Sequence, residues 1–132
     1  MALKSSMKIL LADSIPSNRQ VLRKMLSDVG FKNVIEAGDG ESAFEKIEES
    51  LAEKPVEFII SDYNLEKLNG LDFLKKVKAT ESTKKTPFLL ITGEADQQII
   101  VLAVKAGVSN VIVRPYSANT IIEKISKIFG QG

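Results

Sequence analysis

The chain has 132 residues, the length of one domain, and 44% of them are hydrophobic, so a sizeable core can be buried without disulfides. Its 18 basic and 17 acidic residues nearly balance, which argues against binding to nucleic acid or a membrane surface through bulk charge. The sequence has no cysteine or histidine, which excludes thiolate metal sites and histidine-based nucleophile pairs, so chemistry must use carboxylates, hydroxyls, lysine or arginine.

The N-terminal part of the chain predicts a strand, a helix and a second strand. The apolar run at residues 9–12 is typical of a buried strand and ends at Asp13. Apolar residues then recur at the spacing of one helical face, and Gly30 ends this helix. The residues of that face are Val21, Leu22, Met25, Leu26 and Val29. Residues 33–37 predict the second strand.

The middle of the chain predicts a helix, a third strand and another helix. The stretch from residue 41 to about residue 52 has one apolar face, formed by Ala43, Phe44, Ile47 and Leu51. Residues 58–61 predict the third strand, which ends at Asp62. A loop then reaches Gly70, and the next helix has a face formed by Phe73, Leu74 and Val77.

The last third of the chain continues the alternation of strands and helices. Residues 87–91 predict the fourth strand, which ends at Thr92. A helix is expected from about residue 95 to 106, where Gly107 stops it, and residues 111–113 predict the fifth strand. The last helix has an apolar face formed by Ile121, Ile122, Ile125, Ile128 and Phe129.

This order of elements predicts an α/β fold. Strands that are apolar throughout are buried on both faces, which indicates a parallel sheet covered by helices. Strict alternation of five strands with five helices is typical of a doubly wound sheet, expected here as one domain over residues 1–132 with its core at about 7–129. The N-terminus lacks a signal-peptide pattern, and no stretch approaches the roughly 20 apolar residues of a membrane span. We therefore expect a cytoplasmic protein without membrane insertion.

Four polar residues stand at the carboxyl ends of the predicted strands, where parallel sheets bind ligands. They are Asp13, Asp62, Thr92 and Arg114. Two close carboxylates repel each other unless a cation lies between them, and Mg²⁺ is the simplest choice without histidine or cysteine. A carboxylate is also a competent nucleophile toward a phosphoryl group, whose oxygens a metal ion, a hydroxyl and an arginine can stabilise.

Each of these residues alone has a simpler interpretation. Asp13 can be a helix cap, in competition with Ser14, Ser17 and Asn18. The threonine can simply end a strand, and the arginine can be a surface charge. The four together, in this order along the chain, are far more specific than any one of them.

Across residues 7–129 the chain resembles the receiver domain of two-component response regulators, in particular the stand-alone chemotaxis type. The motifs that carry this resemblance are Ser61-Asp62-Tyr63-Asn64, Asn69-Gly70-Leu71, Ile91-Thr92-Gly93-Glu94-Ala95, Lys105-Ala106-Gly107-Val108 and Val113-Arg114-Pro115-Tyr116. The resemblance implies one receiver-like domain with a flavodoxin-like sheet of strand order 2-1-3-4-5.

The resemblance also implies a role for individual residues. Asp62 matches the phosphoacceptor, and Thr92 matches the switch hydroxyl that turns toward the phosphoryl group. Asn64 matches the position whose backbone carbonyl binds Mg²⁺, so a magnesium site is expected from Asp13, Asp62 and that carbonyl.

Four positions depart from the family pattern, and one of them, Glu66 where the family commonly has proline, is most simply a solvated loop charge. The second acid after strand one, commonly a direct metal ligand, is Ser14, whose uncharged hydroxyl predicts weaker Mg²⁺ binding. The family's near-invariant lysine is Arg114, which keeps the charge and can reach two phosphoryl oxygens, and its bond to Pro115 is expected to be cis. The aromatic switch position on strand five is Val111, so the usual coupling of hydroxyl and aromatic ring is absent or altered.

The leading hypothesis is a phosphorylation switch that is not an enzyme beyond Mg²⁺-dependent self-phosphorylation and autodephosphorylation. A histidine kinase would donate a phosphoryl group to Asp62, and a downstream target protein would read the change on the face formed by helix four, strand five and helix five. Because the chain ends after that helix, output is expected through protein contact, by a monomer or weak dimer and without nucleic acid.

Helix four supports such a contact, since it is more apolar than one buried face requires. Exposed apolar patches often mark binding partners, although an unusually deep core contact would explain the same composition. The apolar residues are Ile99, Ile100, Val101, Leu102 and Val104.

Three other functions compete with the switch. The alternative within the family is a degenerate receiver that binds protein without phosphorylation. The residues Ser14, Arg114 and Val111 favour it, and it is opposed by the retention of Asp13, Asp62, Asn64 and Thr92. An aspartate-nucleophile phosphatase would need an acid two residues after the nucleophile, where Asn64 stands. A flavodoxin-like electron carrier would need a phosphate-binding loop after strand one, for which Ser14 and Ser17 are too few.

Overall fold

The computed structural model describes residues 6–93 and 97–130, in which five strands alternate with five helices. The strands are β1 (Ile9–Ala12), β2 (Val34–Ala37), β3 (Phe58–Asp62), β4 (Phe88–Thr92) and β5 (Asn110–Val113). The helices are α1 (Pro16–Asp28), α2 (Gly40–Ser50), α3 (Gly70–Ala79), α4 (Gln97–Lys105) and α5 (Ala118–Ile128). Within the described residues, no helix has the length and apolar character needed to cross a membrane.

The five strands form one parallel sheet in the order β2-β1-β3-β4-β5. The chain adds β2 on one side of β1 and the remaining strands on the other, so the strand order reverses between β1 and β3. This confirms the doubly wound α/β fold and the order 2-1-3-4-5. Each strand begins and ends within one residue of its prediction, whereas the predicted start of α4 at residue 95 lies outside the described residues.

The sheet has a hydrophobic core on each face, because alternate residues of a strand point to opposite sides. Leu10 and Ile59 belong to the core that packs against α2, α3 and α4. Ile9 and Ile60 belong to the core that packs against α1 and α5. Each core contains an edge-to-face aromatic pair, Phe73 with Phe88 in the first and Phe58 with Phe129 in the second. With helices over both faces, the carboxyl edge of the sheet is where polar side chains can meet.

Side-chain caps fix the first turns of three helices. Asp39, Asn69 and Ser117 each accept a hydrogen bond from the backbone N–H three residues later, at the start of α2, α3 and α5. Helix α1 begins differently, with Ile15 at the N-cap and Pro16 as its first residue, and no side chain caps it. Asp13 is therefore not the cap of this helix, but its Oδ1 accepts a hydrogen bond from the N–H of Ile15, as a turn residue does.

Three residues that the helical pattern placed on buried faces are exposed: Val21, Val29 and Leu51. Val21 directly precedes the buried Leu22, and one step along a helix is a rotation of about 100°, which turns Val21 toward solvent. Val29 and Leu51 are the C-cap residues of α1 and α2, so they lie at the point where each helix ends. Spacing alone does not mark that point, which is why these predictions were wrong.

Candidate functional site

The polar residues at the strand ends come together at the carboxyl edge of the sheet. Asp13 follows β1, Asp62 is the last residue of β3 and Thr92 is the last residue of β4. Their side chains are among the few polar ones that are buried, with 8%, 4% and 2% of the residue surface exposed. The three neighbouring strands pair in parallel, so these residues lie at the same edge of the sheet.

Arg114 joins the two carboxylates. Its Nη1 donates a hydrogen bond to Asp62 Oδ1 at 3.0 Å, and its Nη2 donates to Asp13 Oδ2 at 3.1 Å. The backbone N–H of Arg114 also donates to the carbonyl oxygen of Thr92 at 2.9 Å, which fixes the chain just after β5. The peptide bond to Pro115 is cis, as the resemblance implied. The guanidinium thus supplies a positive charge between the two carboxylates, where the sequence had predicted only a metal ion.

Asp62 keeps one carboxylate oxygen free of hydrogen bonds from the residues that the structure describes. Its Oδ1 accepts the bond from Arg114, and no described group donates to its Oδ2. The backbone carbonyl of Asp62 accepts from the buried Ser61 hydroxyl at 3.0 Å. The residue is therefore held by its backbone and one oxygen, and the other oxygen is available as a nucleophile.

Asp13 is held more tightly than Asp62. Its Oδ1 accepts a hydrogen bond from the backbone N–H of Ile15 at 2.9 Å, and its backbone carbonyl accepts one from the Arg19 guanidinium. Arg19 is itself anchored by Glu36 on β2, because its Nε donates to Glu36 Oε1 at 2.9 Å. Neither Arg19 nor Glu36 was predicted to support the site, since their link to Asp13 depends on how α1 packs beside β2.

Burial and charge together set the pKa of the Asp13 carboxyl. Burial raises this pKa, and the nearby negative charge of Asp62 adds to the increase. The bond from the Ile15 N–H and the positive charge of Arg114 lower it, and the net result is a pKa above the ordinary value. For Arg114, burial lowers the pKa, but the hydrogen bond and charge of Asp62 outweigh it, so the guanidinium stays protonated.

Ser14 and Asn64 link the loops that follow β1 and β3. The Ser14 hydroxyl donates a hydrogen bond to the backbone carbonyl oxygen of Asn64 at 3.2 Å. That carbonyl is the oxygen assigned to Mg²⁺ by resemblance. Ser14, which replaces the second acid of the family pattern, thus has a specific hydrogen-bond partner in the structure.

The predicted metal donors lie in one cleft and are all oxygens, as Mg²⁺ prefers. Asp13 and Asp62 offer carboxylates, and Asn64 offers its backbone carbonyl. Within residues 6–93 and 97–130, no group of three or more acidic side chains is clustered as a metal site would be. These oxygen donors therefore suit a hard divalent ion. Only two of them are charged, and both of these carboxylates already accept a hydrogen bond from Arg114.

The switch positions lie on either side of the β4–β5 edge. Thr92 at the end of β4 is buried, whereas Val111 on β5 is half-buried and packs against the core formed with α2, α3 and α4. Tyr116, for which no role was predicted, follows Pro115 in the chain and lies close enough to Arg114, Asp13 and Asp62 to interact electrostatically with them. Burial raises the pKa of the Tyr116 phenol, the charge of Arg114 opposes this, and the carboxylates of Asp13 and Asp62 add to it.

Helix α4 presents apolar side chains to solvent. Val104 is 63% exposed, Val101 and Leu102 are also exposed, and Ala103 is the buried residue of this helix. The expectation that some of these residues are exposed is therefore confirmed, and a deep core contact does not explain them. Such a patch on one helix is typical of a surface that contacts another protein.

A family model matches this architecture and most of the chain. Residues 9–126 match the response regulator receiver domain. Chemotaxis protein CheY-3 of Vibrio cholerae is 38% identical over 127 residues, which cover 96% of this chain and 95% of the relative. Chemotaxis protein CheY1 of Helicobacter pylori is 36% identical over 124 residues, which cover 94% of this chain and 98% of the relative.

Solved structures agree with the fold. The chemotaxis response regulator CheY4 of Vibrio cholerae superposes with a TM-score of 0.81 at 28% identity, covering 93% of this chain and 98% of its own. The receiver domain of a sensor histidine kinase from Pseudomonas aeruginosa superposes with a TM-score of 0.82 at 23% identity, covering 95% and 98%. That receiver domain was solved with a magnesium ion coordinated in its active-site cleft.

Proposed function

Because the chain belongs to the response regulator receiver family, as a relative of chemotaxis regulators, we propose that it is a two-component signalling switch whose phosphoacceptor is Asp62. The observation that carries this assignment is the burial and hydrogen bonding of the Asp62 carboxylate. It is 4% exposed and fixed at Oδ1 by Arg114, and no described residue donates to its Oδ2. The family match supports the switch, and the cleft supports the choice of residue.

The proposed reaction is a phosphoryl transfer to a carboxylate. Asp62 Oδ2 attacks the phosphorus of a phosphohistidine on a histidine kinase, the P–N bond breaks, and a P–O bond forms an acyl phosphate. Arg114, 3.0 Å from the other carboxylate oxygen, is close enough to neutralise the incoming phosphoryl oxygens. The hydroxyl of the buried Thr92, at the end of the neighbouring strand β4, would turn to donate a hydrogen bond to the phosphoryl group.

A divalent ion, proposed to be Mg²⁺, would be held by Asp13, Asp62 and the Asn64 carbonyl. When bound, such an ion neutralises charge on the transferring phosphoryl group. The magnesium ion in the cleft of the Pseudomonas aeruginosa receiver domain supports this proposal. Turnover in this chain would be limited to its own phosphorylation and dephosphorylation, as expected of a signalling domain.

Output is proposed to occur by contact with a downstream target protein. A phosphoryl group adds negative charge and hydrogen-bond acceptors. At the ends of β4 and β5, Thr92 would donate a hydrogen bond to its oxygens and Arg114 would form an ion pair with them. The elements that follow these strands include α4, whose exposed Val101, Leu102 and Val104 offer an apolar surface. We propose that residues 7–129 form the one receiver domain that does this, in the cytoplasm. The presence of the phosphoacceptor leaves a phosphorylation-independent binding module as the less favoured function.

Phosphorylation with a small phosphodonor tests the proposal. We expect the intact protein, incubated with Mg²⁺ and acetyl phosphate, to gain the mass of one phosphoryl group, and Asp62→Asn to gain none. Asp72→Asn, which removes an exposed carboxylate at the start of α3, is the matched control and should be labelled like the parent protein. A parent protein that binds Mg²⁺ but never gains mass would contradict the proposal.

A further inference from the structure

A groove between α3 and α4 combines an apolar base with a basic rim. Its volume is about 430 Å³, and it opens to solvent, since Lys75, Leu102 and Lys105 are all exposed. Small and branched side chains form its base, and the ends of three lysine side chains surround it. The lining residues are Lys75, Lys78, Ala79, Leu102, Lys105 and Ala106.

The positive charge of this groove is not cancelled by neighbouring acids. None of its three lysines forms an ion pair with a carboxylate of residues 6–93 or 97–130. Lys78 Nζ donates hydrogen bonds to the backbone carbonyl oxygens of Lys84 and Thr86, at 3.2 and 3.0 Å, which fix the ammonium but leave it positive. Burial lowers the pKa of Lys78. A negatively charged occupant would therefore stabilise the groove.

The chain has a surface of the opposite charge on α2. Glu41, Glu45, Glu48 and Glu49 recur at the spacing of one helical face, and all four are exposed. Within the described part of the chain none of them has an ion-pair partner, and like charges four residues apart on a helix repel each other. This acidic face of α2 would be stabilised by contact with a basic surface.

The order of the helices lets two copies pair through both surfaces at once. Helices α2, α3 and α4 pack on the same core, and α3 contacts α2 on one side and α4 on the other. A two-fold axis that runs parallel to these helices, between α2 and α3, places α2 of each copy over the α3–α4 groove of the other. The two contacts are then equivalent, as they are in most homodimers.

We propose that the α3–α4 groove binds the acidic face of α2 from a second copy of this chain, forming a weak homodimer. This goes beyond the signalling switch, because neither surface includes Asp13, Asp62, Thr92 or Arg114 and the pairing needs no phosphoryl group. Exposed ion pairs each contribute little and are screened by salt, so the dimer forms at high protein concentration and low ionic strength. A second copy in the groove covers Leu102, so dimerisation competes with proteins that bind the apolar surface of α4.

Sedimentation equilibrium of the unphosphorylated protein tests this pairing. We expect the parent protein to dimerise with a Kd on the order of 0.1–1 mM at about 20 mM salt, and about tenfold more weakly at about 500 mM salt. Lys75→Glu combined with Lys105→Glu reverses the charge of the groove. Glu45→Lys combined with Glu48→Lys reverses the charge of the α2 face. Each double variant alone should dimerise at least about tenfold more weakly than the parent.

Mixing the two double variants restores both contacts. An acidic groove then meets a basic α2 face, and a basic groove meets an acidic α2 face, so we expect a heterodimer about as tight as the parent homodimer. The control mixture replaces the α2 variant with Asp28→Lys combined with Glu123→Lys, which changes net charge equally on α1 and α5, over the opposite face of the sheet. It should pair about tenfold more weakly than the complementary mixture.

Three results would overturn the proposal, each with variants whose circular dichroism matches that of the parent. The first is a parent protein that stays monomeric at millimolar concentration and low salt. The second is a complementary mixture that pairs no more tightly than the control mixture. The third is a monomeric parent in which inorganic phosphate shifts the amide NMR signals of Lys75, Lys78 and Lys105, since the groove would then bind a small anion.

Discussion

At the scale of single residues, the site is held together by arginines. Arg114 binds the side chains of Asp13 and Asp62, and Arg19 binds the backbone carbonyl of Asp13. Each guanidinium has several donors in a fixed plane, so one side chain can satisfy two acceptors from different strands. The positions of the two carboxylates therefore depend on side chains from α1 and from the segment after β5.

Glu36 on β2 holds Arg19 in place and also binds a second arginine of α1, Arg23. Its Oε1 accepts from Arg19 Nε at 2.9 Å, and its Oε2 accepts from Arg23 Nη1 at 2.6 Å. Burial raises the pKa of the Glu36 carboxyl, but the hydrogen bonds and charges of Arg23 and Arg19 outweigh burial and hold the pKa below its ordinary value of 4.5. The folded protein thus binds this proton less tightly than the unfolded chain.

A lowered pKa at Glu36 predicts a definite pH dependence of stability. The contribution of Glu36 is fully present above its unfolded pKa and is lost as pH falls through the lower folded pKa. We expect Glu36→Gln to lower the free energy of unfolding by about 1 kcal/mol near neutral pH. This deficit should shrink on acidification below the ordinary pKa of 4.5.

Urea unfolding of both proteins at several pH values checks this expectation. Glu49→Gln, which changes an exposed glutamate on α2, is the control and should leave the free energy of unfolding nearly unchanged at every pH. A deficit in Glu36→Gln that stays constant from neutral to acid pH would contradict the assigned role of the charge.

At the scale of elements, the loop between β3 and α3 is hydrogen-bonded next to Asp62, the last residue of β3. The N–H of Tyr63 donates to the carbonyl of Ile91 at 2.7 Å, and the N–H of Gly70 donates to the carbonyl of Tyr63 at 2.8 Å. Asn69 caps the helix that follows. The start of α3 therefore packs closely against the backbone of Asp62 and Tyr63.

Gly70 allows this close approach. A Cβ atom at this position would lie 2.7 Å from Tyr63 Cα and would also overlap the carbonyl of Asp62. Because both neighbours are backbone atoms, they cannot move away as a flexible side chain could. We expect Gly70→Ala to lower the free energy of unfolding by about 1–3 kcal/mol and to slow phosphorylation, because Asp62 is displaced.

Chemical denaturation together with phosphodonor labelling measures both effects. Gly38→Ala is the matched control, since its Cβ would meet only the Arg19 side chain at an ordinary contact distance of 3.7 Å. If Gly70→Ala and Gly38→Ala unfold with equal free energies, the backbone at Asp62 is not constrained in the way described.

At the scale of the whole molecule, the sequence predicts the fold well because the information is local. Apolar runs mark the five strands to within one residue, although the edge strands β2 and β5 are only partly buried, and strict alternation with helices determines the class of fold. The strand order came from resemblance to a family, since no residue pattern states which strands are neighbours. The errors at Val21, Val29 and Leu51 arise where a helix face or helix end depends on packing.

The sequence predicts which residues stand at the candidate site better than it predicts the contacts between them. The expectation that residues at the strand ends lie together holds for Asp13, Asp62 and Arg114, whose side chains are hydrogen-bonded. The reach of Arg114 to both carboxylates could not be read from the sequence, because a long flexible side chain adopts one of many conformations set by its neighbours. The hydrogen bond from Ser14 to the next loop depends on the same three-dimensional setting.

The central claim is that Asp62 is the residue that accepts the phosphoryl group. Its most direct test is to treat the protein with acetyl phosphate and Mg²⁺, reduce the acyl phosphate with borohydride, and locate the resulting homoserine by peptide mass spectrometry. The account predicts homoserine at position 62, dependent on the phosphodonor. Homoserine at Asp13 or another carboxylate instead, or none in a natively folded protein with bound Mg²⁺, would contradict it.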